Sequence, residues 1–295
     1  MSSRSHPISG WIYQLNLAAL ILIGIGFLLP LMITFTNSFM SEQEIALHHT
    51  TTLSLFDILE GVYQRFVPIR LIPREITFGQ YRAVLIDQPS FLMLLVNSIR
   101  ITAPVVLGNL VISLLTAYGF TCWRWKYKEI LFFIYIVVML MPLQAVLVPN
   151  FIIADQLGIT QSYWAIIWPG IFAPFGTFLL RQSMKAIPEA NYEAARIDGA
   201  RDLYIFLFIV MPQMKAGIAA LTMLVFIEYW NVVEQAVIFI RDYTREPLSV
   251  FLSRLSEGHI GLIFAASCVY MFFPFLWLIF GQEHLQKGIE LSGVK

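Results

Sequence analysis

Five stretches without one charged side chain, residues 5–41, 101–123, 130–154, 156–180 and 258–282, constrain this chain more than any other feature. Each is at least 23 residues long, and a helix of that length rises about 35 Å, enough to cross the roughly 30 Å hydrocarbon core of a bilayer. Charged residues make up only 13% of the 295, against about 25% in soluble chains, too few to coat a globule of this size. In lipid every backbone N–H and C=O must be satisfied within the protein, so such windows are read as helices. A sixth window, 216–240, is apolar apart from Glu228 and Glu234 and is counted as a span. Residues 203–214, LYIFLFIVMPQM, are too short to cross alone. They read as interfacial or as the approach to the fifth span. The expected fold class is all-α: a polytopic membrane protein with six transmembrane helices.

The expected spans cover about 12–36, 91–120, 129–149, 163–184, 216–240 and 258–282, forming one domain over 1–295. Six crossings put both termini on one side. With the N-terminus inside, Arg4, Arg124, Lys126, Lys128, Arg181, Lys185, Arg196, Arg201, Lys215, Lys287 and Lys295 lie inside, and only Arg241, Arg245 and Arg254 lie in short outer segments. That asymmetry makes both ends cytoplasmic. The remaining loop, about 41–90, is long enough to translocate regardless of its arginines, and its Pro68, Pro73 and Pro89 suggest a small external cap with short helices. The first apolar run exceeds a signal-peptide core and has no clean cleavage site, so it is read as a retained span.

Balanced charge, 19 basic and 19 acidic residues, gives no support to a nucleic-acid partner. Cys122 and Cys268 lie far apart beside apolar runs and suggest neither a disulfide framework nor a metal site. His48 and His49 are adjacent and point apart, and His259 and His284 sit at opposite ends of the last span, so neither a metal nor a cofactor is expected. Gly24-Ile25-Gly26 lacks the third glycine and the strand of a dinucleotide loop and reads as a helix-packing site. Pro30, Pro142, Pro169, Pro174 and Pro274 are expected to kink or end helices, and Arg100 to snorkel to the outer interface.

The longest internal segment reads MKAIPEANYEAARIDGARDLYIFLFIVMP, residues 184–212. Pro188 suits a first helical turn and Gly199 the position beyond the last, which predicts a helix over about 188–198. Its Ala190, Ala194, Ala195 and Ile197 are small or apolar; Glu189, Glu193, Arg196 and Asp198 are charged. Physics alone leaves two readings open: a helix lying on lipid headgroups, or one that docks another protein, alanines allowing close approach and charges fixing register.

EAARIDGA at 193–200, followed by Pro212, resembles the EAA signature of permease subunits of bacterial ABC importers. The surrounding chain resembles the carbohydrate branch, kin of the second maltose permease and the glycerol-phosphate permease. TFGQYRAVL at 77–85, NS at 97–98, LLTAYGF at 114–120, MPLQAVLVPNF at 141–151, LGITQSYWAIIWP at 157–169, GTFLLRQ at 176–182, IPEANYEAARIDGA at 187–200 and a terminal GVK follow that family's order over about 77–295. The resemblance implies a second permease, two cytoplasmic ATPases docked on the EAA helix, and an extracytoplasmic binding protein that delivers a sugar. It implies that Glu193 contacts a basic residue of the ATPase, that Ala194 and Ala195 permit close packing, and that Asp198 and Gly199 complete the docking set, Gly199 turning the chain back. In this scheme the C-terminal tail, about 283–295, is a further segment expected to reach the ATPases. No glycine precedes a lysine anywhere, so there is no Walker A loop and ATP would be hydrolysed by another chain.

Glu228, Trp230, Asn231, Glu234 and Gln235 concentrate polarity in the fifth span, where spacings of three and four place much of it on one helical stripe. Buried charge in a bilayer is unfavourable, so these groups face protein or water. Amides and carboxylates beside an indole suit sugar hydroxyls and an apolar sugar face, making the set a candidate substrate pathway; interhelical hydrogen bonding is the competing reading. Two rival functions are a stand-alone secondary transporter, which calls for ion-driven uptake without ATP, and a polytopic membrane enzyme, which calls for a His, Asp or Glu cluster with catalytic spacing.

Overall fold

The computed structural model describes residues 10–49, 72–123, 125–254 and 260–293. Arg4, Pro68, Arg124, His259 and Lys295, invoked above, lie outside the described residues. The described chain is helical throughout: α1 (Gly10–Asn37), α2 (Glu42–His49), α3 (Gly79–Arg82), α4 (Pro89–Cys122), α5 (Lys128–Met139), α6 (Leu143–Gln156), α7 (Trp164–Ile171) and α8 (Pro174–Lys185). There follow α9 (Glu189–Ile197), α10 (Asp202–Gln213), α11 (Lys215–Trp230), α12 (Glu234–Phe239), α13 (Leu248–Arg254) and α14 (Ile260–Gly293). Four segments cross-length and apolar, Tyr13–Asn37, Pro89–Cys122, Trp164–Lys185 and Ile260–Ile279, are joined by two bent pairs that reach crossing length only together.

Two compact units divide the chain: residues 1–89 with 255–269, and residues 90–254 with 270–295. In the first, a ring cluster of Phe35, Phe39, Phe78 and Tyr81 is pinned where the Tyr81 hydroxyl meets Ser38 Oγ at 2.8 Å. Glu44 accepts the Arg74 N–H at 3.0 Å. The short α2 and α3 agree with the expected short helices of this region. The apolar stretch of α1 is left unburied by the rest of the chain, and a Cβ at Gly24 or Gly26 would meet nothing within 4 Å. Among the described residues, nothing packs on those glycines as expected.

The second unit is organised by α4. Asn97, Ser98, Thr102, Asn109 and Ser113 are all about 1% exposed and recur at helical spacing along one face. Their role follows from the broken helices around them. Pro174 has no N–H to return to α7, and the Asn109 amide donates to the carbonyls of Gly170, Ile171 and Ala173 at 3.0, 3.3 and 3.2 Å. Asn97 likewise donates to the carbonyls of Thr244 and Glu246, and Ser98 Oγ accepts the Leu248 N–H at 2.9 Å. Gly176 is required by close approach, because a Cβ there would collide with Ser113 and Asn109.

Two expectations are corrected here. The third span, expected over 129–149 with a kink or end at Pro142, bends there by 97° between α5 and α6 and runs on to Gln156; Pro142 offers no N–H and drives Met141 out of helical geometry. The fifth span, expected unbroken over 216–240, stops at Trp230 and restarts at Glu234. Side chains make that gap tolerable: the Tyr270 hydroxyl donates to Trp230 O at 2.7 Å and Ser249 Oγ to Val232 O at 2.6 Å. Residues 203–213 belong to α10, whose centre Ile205–Val210 is π-helical and which meets α11 at 77°, Met214 forming the turn between them.

Arg181, counted above as an internal basic residue, is 1% exposed. Its guanidinium lies 3.7 Å over the Phe132 ring, bonds Glu129 at 2.6 Å and donates from Nε to Phe120 O. It ties α4, α5 and α8 together.

Candidate functional site

Pro188 caps α9 and its lack of an N–H costs nothing there. The helix ends in a Schellman turn: Ala200 N–H donates to Ala195 O at 3.0 Å and Gly199 N–H to Arg196 O at 3.1 Å. Gly199 has φ +81°, a left-handed backbone that favours glycine. Glu189 in the first turn and Arg196 in the last complement the helix dipole.

The inward face of α9 is Tyr192 and Ala195, both buried. The Tyr192 hydroxyl donates to Met184 O at 3.4 Å, and burial pushes its phenol well above the usual range. Arg196 reaches Cys122 O at 3.4 Å and Asp202 at 3.3 Å, while Asn191 bonds Gln213. These contacts hold α9 against the C-terminal end of α4 and against α10. The outward face carries Glu193, Ala194, Asp198 and Ile197, the last 85% exposed. Ala195 therefore packs inside its own chain, and close approach from outside falls to Ala194. A hollow of about 300 Å³ between Lys128, Lys185, Glu189, Tyr192, Glu193 and Arg196 adjoins this face.

The second constellation lies at the α11–α12 gap. The break separates Glu228 on α11 from Glu234 and Gln235 on α12, so they do not form the continuous stripe expected of one helix. Trp230 is 1% exposed and is flanked by Phe226, Tyr270 and Phe273 with centroids at 5.2–5.4 Å; its indole N–H goes to Tyr270 O. It has no face open to a sugar and acts as a core pillar instead. Asn231 is exposed, its Nδ2 donating to Ile227 O and its Oδ1 accepting from Tyr270. Glu234 accepts from Gln144 Nε2 at 3.1 Å across the gap between α6 and α12. Gln235 Oε1 is buried without a hydrogen-bond partner among the described residues.

The family described as "Binding-protein-dependent transport system inner membrane component" matches residues 109–282. The chain belongs to that family. This transport component is 27% identical over 270 residues to the polygalacturonan/rhamnogalacturonan transport system permease protein of Bacillus subtilis (strain 168), covering 84% of this chain and 91% of that one. It is 25% identical over 298 residues to the arabinooligosaccharides transport system permease protein of Halalkalibacterium halodurans, with both chains fully covered. Its fold resembles a bacterial ABC transporter involved in the import of the acidic polysaccharide alginate, with a TM-score of 0.71 and 24% identity over 95% of this chain and 96% of that one.

Within the transport component, α9 and the α11–α12 gap are separate sites. Glu193, Ala194, Asp198 and Gly199, singled out in the sequence, all lie at the exposed surface or end of α9. Sequence reasoning missed Gln144, whose only signal was being the lone amide in 130–149. It also missed Tyr192, an aromatic inside an otherwise small and charged helix. Among the described residues no group of three His, Cys, Asp or Glu is placed to hold a metal.

Proposed function

We propose that this chain lines half of an ATP-driven import route for a saccharide in a bacterial inner membrane, and that separate ATPases drive it through α9. One observation carries this reading. The back of α9 is locked to α4, α8 and α10, while Glu193, Ala194 and Ile197 stand on its open face. A helix fixed on one side and sticky on the other transmits force as a rigid body, whereas a helix floating on headgroups has no need of such anchoring.

The partners are two cytoplasmic ATP-binding subunits, a second permease subunit and an extracytoplasmic solute-binding protein that hands over the sugar. Both termini are cytoplasmic, and residues 1–295 act as one permease domain. The chain has no nucleotide site of its own, in keeping with the lack of a Gly-Lys pair. The relatives are named for saccharide transport, which supports that substrate class. Along the route, Glu228, Asn231, Glu234 and Gln235, joined by Gln144, offer acceptors and donors to hydroxyls, with Trp230 holding Asn231 in place. Closure of the ATPases on ATP would draw paired α9 helices together and rock the bent α5–α6 and α10–α11 segments between outward-open and inward-open states.

Replacing Glu193 with Lys tests the reading. Membrane insertion is expected to persist, while co-purification of the ATPase and saccharide-stimulated ATP hydrolysis fall at least tenfold. Coupled uptake at the normal rate would refute docking through α9.

A further inference from the structure

At the end of α4 opposite to α9 lies a pocket of about 430 Å³ lined by Asn97, Arg100, Gln161, Tyr163, Thr244 and Arg245 among others. No carboxylate lines it. Residues 97 and 122 are separated by about 37 Å of helix, so the pocket and α9 occupy opposite sides of the bilayer. Arg100, expected to snorkel, is exposed at this end of α4 and lines the pocket together with Tyr163. Arg245 is held only by long contacts, 3.4 Å to Gln161 O and 3.6 Å to Asp242, and its side chain is 60% exposed. Both guanidinium groups thus retain donors for a ligand.

The wall between them is built under strain. Gln161 has φ 64°, an unfavourable backbone for a residue with a side chain. It is held there by its N–H to Phe239 O at 3.0 Å and by its Oε1 accepting the Arg241 N–H at 2.8 Å. Strain of this kind persists where surrounding contacts enforce it and concentrates at binding sites. The bond to Phe239 also fixes the pocket to the far end of α12, whose first residue is Glu234. Six helical residues span about 9 Å, so the pocket stands one short helix away from the polar set of the proposed route.

We propose that this pocket is an outer subsite for the carboxylate of a uronic-acid saccharide, paired by Arg100 and Arg245 as the sugar leaves the binding protein. The assignment rests on the importer reading above and narrows its substrate to acidic saccharides. Planar guanidinium donors match a carboxylate bidentately, and Tyr163 supplies an apolar ring with a polar tip for the sugar ring beside it. Deeper in the route, hydroxyls meet Gln144 and Asn231.

The complete importer, with its binding protein and ATPases in proteoliposomes, tests this with trigalacturonate and its methyl ester. The ratio of kcat/KM for acid over ester is expected to exceed ten. Arg100→Gln and Arg245→Gln should each bring that ratio at least fivefold closer to one, and Arg100→Lys should retain part of it. A structural role would depress both probes in proportion and leave the ratio fixed, which would overturn the assignment. So would a ratio that is insensitive to either arginine while uptake tracks phosphatidylglycerol content in an Arg100-dependent manner, which would make the ligand a lipid headgroup. ATP-dependent uptake of the ester alone defeats only the pocket. ATP-independent uptake, or no uptake of either probe, defeats the importer reading and this subsite with it.

Discussion

The φ of +81° at Gly199 has nothing to do with crowding, since a Cβ there would meet no atom within 4 Å. Its requirement is purely conformational. Gly199→Ala is therefore expected to destabilise the end of α9 by about 1–2 kcal/mol, and Gly199→Asn by less, read from thermal unfolding in detergent. Two positions earlier, Ile197 exposes nearly its whole side chain. If it is buried by an ATPase, Ile197→Ser should weaken co-purification about tenfold, the equivalent of about 1.4 kcal/mol, without lowering thermal stability. Asp242, by contrast, is governed by a turn. Its carboxylate accepts the Thr244 N–H at 2.9 Å and hydroxyl at 2.7 Å, which hold its pKa below the usual range. The turn is thus fully supported above the unfolded value of about 3.9 and weakens as pH falls through the lower folded value. Amide exchange at Thr244 should accelerate only under such acid, and Asp242→Asn should remove the dependence. The helix between Pro188 and Gly199 was legible because helix ends are written in consecutive letters. The inward turn of Ala195 was not, because alanine is equally at home on either face.

Single helices show a different division. The ends of α1 and α4 fall within two residues of the expected spans 12–36 and 91–120. The interruptions do not. Pro142 marked one, but Asn231 gave no warning of the other, because the groups that satisfy its freed carbonyls come from Tyr270 and Ser249, well away in the sequence. Asn109 is the clearest case of such distant support. Replacing it with Leu would strand up to three carbonyls where α7 meets α8, and is expected to cost about 1–3 kcal/mol, measurable by denaturation in bicelles. Asn109→Asp should fare no better, since a carboxylate cannot donate. The same reasoning explains why the polar set of the fifth span was assigned a geometry that the structure does not have. Periodicity presumes an unbroken helix, and this one is broken in the middle of the set.

For the molecule as a whole, the proposed six-crossing topology makes a sharp prediction. With Cys122 and Cys268 replaced by Ala, a cysteine at Ile197 should react with an impermeant maleimide only in inverted vesicles, and one at Tyr243 only in intact cells or spheroplasts. Reversal of that pattern would invert the whole assignment of α9 and the arginine pocket. The all-helical fold was readable because composition and charge-free length act over the entire chain. The apolar surface of α1 was readable only as hydrophobic, not as uncovered, for a sequence does not say which of its greasy faces its own remainder will reach.

The bonds that aim α9 are made by main-chain atoms at Ala195, Arg196, Gly199 and Ala200, and by side chains on its hidden flank. The apolar side chains of Ala194 and Ile197, on its visible flank, bear none of that burden. Over generations a lineage can therefore rewrite Ala194 and Ile197 to suit a replacement motor while the mounting keeps its bearing, so that allegiance between subunits drifts faster than architecture.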